Sequence, residues 1–159
     1  MPAPTIRPRP HLRQEGATYL VSWELHPAQP PLTEAERGMV MESVRHFDGT
    51  KYDLIAVLAL AAKIYAVVTP YARQRVGRLA GSWKRWLFGL DGRSLPLWRR
   101  GYFDRIMRGP EEVGRRIQQL RGLPGPLPQG TAEFEWLWLR GEGRREAGQE
   151  TGTEARVGS

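Results

Sequence analysis

Between Tyr71 and Arg121 the chain carries 13 Lys/Arg against 4 Asp/Glu, interleaved with Trp83, Trp86, Trp98, Tyr102 and Phe103. Guanidinium and ammonium groups neutralise phosphates and release their counterions, and exposed rings stack on unpaired bases. Such a mixture suits a strand of nucleic acid. The same rings equally suit a core, because the tryptophans of a small protein are mostly covered. The whole chain has a formal charge of +7, so the residues outside this block are slightly acidic on balance. An anionic partner follows, whether nucleic acid, an acidic protein or a lipid surface.

Other chemistry is thinly supplied. His11, His26 and His46 show no metal-ligand spacing, and His46 suits the C-terminal end of a helix. Without cysteine there are no disulfides, thiolate metal sites or thiol nucleophiles, which fits a cytoplasmic location. Asp48 and Asp104 read as structural, and no Gly-rich phosphate loop or pair of catalytic carboxylates is present. The apolar segment 54–68 is shorter than the ~20 residues of a membrane span and contains Lys63, so no membrane partner is expected.

The elements that would position these residues are partly legible. Thr18–Leu25 alternates as a strand, with Tyr19, Val21, Trp23 and Leu25 on one face and Thr18, Ser22 and Glu24 on the other. Thr33 and Glu36 form a capping box for a helix running to about Phe47, which is expected to bury Val40, Val44 and Phe47. Residues 52–70 are ambiguous, since LIAVLALAA suits a buried helix and IYAVVT a strand. A helix is expected from Ala72 to about Phe88, a strand within 97–106, and a helix from Pro110 with Val113, Ile117 and Leu120 inward. Phe134, Trp136 and Trp138 alternate and should pack back on the domain. Residues 1–15 read as an extended lead-in, 16–140 as one domain, and 141–159 as a disordered tail.

The order of these segments resembles the REP-associated tyrosine transposases, within the insertion-sequence-200-like group of HUH transposases. The resemblance rests on GATYLVSWEL (16–25), PLTEAERGMVMESVRHFDGTKYDL (31–54), SWKRWLFG (82–89), PLWRRGYFDRIMRGPEEV (96–113) and FEWLW (134–138). It implies an α+β, ferredoxin-like antiparallel sheet with helices on one face, in a single domain. It also implies that Tyr52–Thr69 is a pair of adjacent strands. Members of the family cut and rejoin single-stranded DNA near hairpins, through a tyrosine nucleophile and a magnesium or manganese ion held by two histidines. Those histidines stand at i and i+2 on a strand, so that both reach one ion.

The chain departs from the family where that chemistry resides. Counted without gaps, the histidine positions hold Lys63 and Tyr65, and the nucleophile position holds Gln119. An ammonium cannot ligate a cation, a neutral phenol ligates a divalent ion poorly, and an amide forms no phosphotyrosine-type intermediate. No cofactor is therefore expected. Tyr65 and Tyr102 are the conceivable substitute nucleophiles. The expected partner is single-stranded or hairpin DNA, held by Arg73, Arg75, Arg78, Lys84, Arg85, Arg99, Arg100 and Arg105 of a monomer or homodimer. The competing readings are an active transposase with non-standard residues and a decayed element product reused for protein contacts.

Overall fold

The core of the molecule is a five-stranded antiparallel sheet, and two of its three inner strands come from the stretch that local patterns leave undecided. The computed structural model describes residues 16–85, 93–94, 96–131 and 133–141. The expected lead-in and tail, and the ring of Trp86, lie outside them. Strand β1 is Thr18–Glu24, helix α1 Glu34–Arg45, β2 Tyr52–Ala59, β3 Lys63–Pro70 and α2 Val76–Arg85. Strand β4 is Phe103–Met107, α3 Pro110–Gly122 and β5 Leu137–Leu139. The strand order is β4-β1-β3-β2-β5.

Residues 52–70 are the strand pair that the resemblance implies. Strands β2 and β3 pair antiparallel from Tyr52↔Pro70 to Ala59↔Ile64, with an irregularity between Leu54 and Ala56. Alternation is missing from β2 because the strand is covered on both faces, which makes it read as a continuous apolar run. Leu54, Val57 and Ala59 face one cluster, and Ala56 and Leu58 the other.

The helices do not all lie on one face, and that expectation is corrected. Helices α1 and α2 cover the face bearing Val21, Trp23, Ile64, Ala66 and Val68. Helix α3 lies on the opposite face, where Val113, Ile117 and Leu120 join Ala56, Leu58, Val67 and Met107. Two apolar faces on the central strands require two covers.

Element ends follow local chemistry. The Thr33–Glu36 capping box opens α1, with hydrogen bonds of 2.9 and 3.1 Å, and His46 is its C-cap. Helix α2 begins four residues later than expected. After Pro70 the chain turns through Arg73 at φ 74, and Gln74 N–H bonds back to the Tyr71 carbonyl. Gly109, at φ 101, makes the turn that Pro110 then converts into α3. The aromatic ending divides between the faces: Trp136 and Trp138 pack on the α1 side, Phe134 on the α3 side. Leu137 and Leu139 are the buried residues of β5. Asp48 has the structural role expected of it, accepting the Leu54 N–H at 2.9 Å and pairing with Arg140.

Candidate nucleic-acid interface

Lys63 and Tyr65 share a face of β3 because alternate strand residues do. Tyr65 joins the cluster beneath α3, so this is the face on which α3 packs. The Lys63 ammonium lies 5.1 Å from the centre of the Tyr65 ring and 3.5 Å from Glu24 Oε2. Glu24 Oε1 in turn lies 3.1 Å from Arg99 Nε. The β1–β3 register explains this, since Glu24 stands opposite Lys63 and Ser22 opposite Tyr65. An ammonium, a phenol and a carboxylate already paired with two cations do not fit a divalent metal. Among the described residues no group of three His, Cys, Asp or Glu side chains could hold one.

Gln119 sits on an exposed part of α3, and its Oε1 accepts from Arg116 Nη1 at 2.8 Å. Glu112, Arg116 and Gln119 fall on one flank of the helix by their spacing. Glu112 marks where that flank points, because it meets Arg105 of β4 at 3.3 Å. The same carboxylate accepts the Arg108 N–H at 2.7 Å; that bond and the Arg105 guanidinium hold it below the usual carboxylate range. Tyr102 lies elsewhere. Its hydroxyl approaches α2 at Gly77 so closely that a Cβ there would sit 3.0 Å from it, and its ring packs on the opposite cluster from Tyr65. Tyr65 and Tyr102 therefore do not share a site.

The basic residues divide by what they touch. Arg78 and Arg85 are exposed along α2, whose inward stripe is Val76, Leu79, Ala80 and Trp83, and Arg75 is exposed just before its first residue. Arg73 is exposed in the turn before it, and Arg99 and Arg100 on the loop before β4. Arg105 is exposed but tied to Glu112. Lys84 differs from these. Its ammonium donates to the carbonyls of Arg99 at 3.0 Å and Gly101 at 2.6 Å, and burial lowers its pKa. The Trp98 indole N–H adds a bond to the Lys84 carbonyl at 3.1 Å. Lys84 thus bolts the arginine loop to α2. Replacing it by Met should cost about 1–3 kcal/mol in urea unfolding, because two carbonyls lose a charged donor.

The same loop is latched at its other end. Arg93 Nε and Nη2 bond Glu36 at 2.8 and 2.6 Å, and its guanidinium also reaches the carbonyls of Pro30 and Pro31. The Arg93 hydrogen bonds pull Glu36 down from 4.5 to about 2. A depressed carboxylate stabilises the fold above its unfolded pKa and loses that contribution as pH falls through the folded one. The latch should therefore weaken between about pH 4.5 and 2, by about 2 kcal/mol after allowance for solvent screening. Urea midpoints of the protein and of Glu36→Gln across that interval check this: the gap between them should close as pH falls. The sequence carries no local signal for this pairing of distant residues.

Of the rings that could stack on a base, Trp83 and Trp98 are core, whereas Phe103 is 51% exposed. A cavity of about 770 Å³ opens beside Phe103, between β1 and the loop that leads into β4. Ser22, Glu24, His26, Trp98 and Arg99 help to line it.

No family model matches the chain, and no curated protein matches it. A solved structure does: that of a REP-associated tyrosine transposase bound to a REP hairpin. The two align with a TM-score of 0.62 over 73% of this chain and 71% of that one, at 10% sequence identity. So low an identity speaks to architecture alone. The antiparallel sheet with its three helices has the fold of a REP-associated tyrosine transposase.

Proposed function

We propose that this protein binds folded, hairpin-forming DNA and does not cut it. The observation that carries the proposal is the pair Lys63–Tyr65 on the α3 face of β3, with Glu24 neutralising the ammonium. By the family resemblance these positions would hold two imidazoles and a divalent ion. A bound magnesium or manganese would supply polarisation of the scissile phosphate. The side chains present offer an ion-paired ammonium and a phenol instead of cation ligands, so they do not activate a phosphate through a metal. Gln119 stands where the resemblance calls for an attacking phenol, and an amide cannot take that part. The likeness to a transposase bound to a REP hairpin favours hairpin DNA as the ligand. Exposed Arg73, Arg75, Arg78, Arg85 and Arg100 supply the phosphate contacts, whereas Arg99, like Arg105, is already paired with a carboxylate.

The test is a labelled hairpin with a single-stranded flank, incubated with the protein and magnesium or manganese. A retarded complex on a native gel, with intact DNA and no covalent protein–DNA adduct on a denaturing gel, is the expected result. An adduct or a cut strand would refute the non-cleaving reading. Absence of any complex at about 50 mM salt would refute DNA binding, since electrostatic association is favoured under those conditions.

A further inference from the structure

Arg100 is exposed on the loop before β4, and its guanidinium has no partner among the described residues. Its backbone, by contrast, is gripped on both sides. The Lys84 ammonium donates to the carbonyl before it, Arg99, at 3.0 Å, and to the one after it, Gly101, at 2.6 Å. The Trp98 indole N–H closes the joint on the Lys84 carbonyl, and the Arg99 N–H bonds the Glu24 carbonyl at 2.8 Å. Gly101, at φ 80, supplies a turn that a side chain would strain.

A second tie lies nearer the start of the loop. Gln29 Nε2 donates to the Ser94 carbonyl and, at 3.1 Å, to that of Pro96. Its Oε1 accepts from Arg93 Nη1 at 3.1 Å. One uncharged amide therefore commits both its ends to the segment that leads to Arg100. The His26 N–H adds a bond to the Leu97 carbonyl at 2.8 Å.

Lys84 has the charge of a phosphate ligand but not the freedom of one. An ammonium has three donors, and two bonds inside the protein already occupy it. What those bonds achieve is geometric, since they join a loop carrying a free arginine to the helix carrying Arg78 and Arg85. Cations already held in a binding arrangement lose less freedom on association, which favours affinity. We propose that Lys84 is a positioning residue, which holds Arg100 at a set distance from Arg78 and Arg85 so that the three meet the DNA backbone as one preset group. Gln29 steadies the same loop from its other end. The proposal rests on the DNA-binding reading and says how that surface is organised.

The test is hairpin affinity across a salt series for the unaltered protein, Lys84→Met, Arg100→Gln and the double variant, with circular dichroism to confirm folding. Arg100→Gln should remove one phosphate contact, lowering affinity about three- to tenfold and the salt slope by about 0.9. Lys84→Met should cause a similar loss in the otherwise intact protein and no further loss once Arg100 is gone. A lysine that itself touched a phosphate would cost a contact in both backgrounds, and that result would overturn the proposal. So would a lowered urea midpoint with unchanged hairpin affinity, the mark of a merely structural tie. Gln29→Met alters no charge and serves as the second variant. It should reduce affinity and slope only while Arg100 is present, and an unaltered slope in this variant contradicts the clamp. An unaltered protein that binds no hairpin would remove the DNA-binding reading and the proposal together, whereas binding without this coupling removes the proposal alone.

Discussion

Changing Arg75, Arg78 and Arg85 together to Glu should weaken hairpin binding by about 10²–10³-fold and flatten its salt dependence. Each phosphate contact contributes roughly −0.9 to the slope of log affinity against log salt on duplex DNA, so losing three should reduce the slope by about 3. Arg78 and Arg85 lie off the stripe that packs α2 on the sheet and Arg75 is exposed just before the helix, so the fold should survive. Reversing Arg85 in the last turn should cost a few tenths to about 1 kcal/mol through the helix dipole. Fluorescence anisotropy with a labelled hairpin measures the affinity, and circular dichroism the fold. If the chain were instead a relic or a scaffold for protein contacts, this triple change would leave nucleic-acid affinity untouched.

Trp83→Ala should destabilise the protein severely while leaving a measurable unfolding transition. The Trp83 ring stacks on Trp23 at 5.3 Å and meets Tyr52 edge-on at 5.6 Å. Its indole N–H donates at 2.9 Å to the Tyr52 hydroxyl, which itself donates to the Val44 carbonyl. Helix α1, strand β2 and helix α2 are therefore joined through one phenol, and burial pushes that phenol up to about 12. Emptying the Trp83 site should cost about 3–5 kcal/mol, a large part of the 5–15 kcal/mol that holds a typical domain. Trp83→Phe retains most of the stacking but leaves the Tyr52 hydroxyl without its donor, and should cost about 1–3 kcal/mol. Urea unfolding followed by tryptophan fluorescence orders the series as original chain, Phe, then Ala. Loss of the apolar wall behind the arginine loop should also lower DNA affinity in the Ala variant.

Local patterns are clearest where the two faces of an element differ in polarity. Strand β1 alternates because one side carries the large core residues and the other Thr18, Leu20, Ser22 and Glu24, and α1 announces itself through Thr33 and Glu36. They failed on β2 for the opposite reason: burial on both faces erases the period, and only the order of segments implied a strand. The apolar stripe of α3 says that it packs, not on which face, and the one-face arrangement implied by the resemblance does not hold for it. The same limit applies to the site. Lys63 and Tyr65 could be put on one face from their spacing, and so could Ser22 and Glu24 on β1. That the two pairs lie side by side depends on register, which no single strand encodes. Charge and helical position group Lys84 with the phosphate-binding residues, whereas the fold commits its ammonium to two carbonyls.

The most direct test of metal-free hairpin recognition is a salt titration of hairpin affinity in the presence of EDTA. Sub-micromolar binding at low salt, falling with a slope of about −3 or steeper, is the predicted result. Binding that appears only when manganese is restored, or no binding even at low salt, would contradict it.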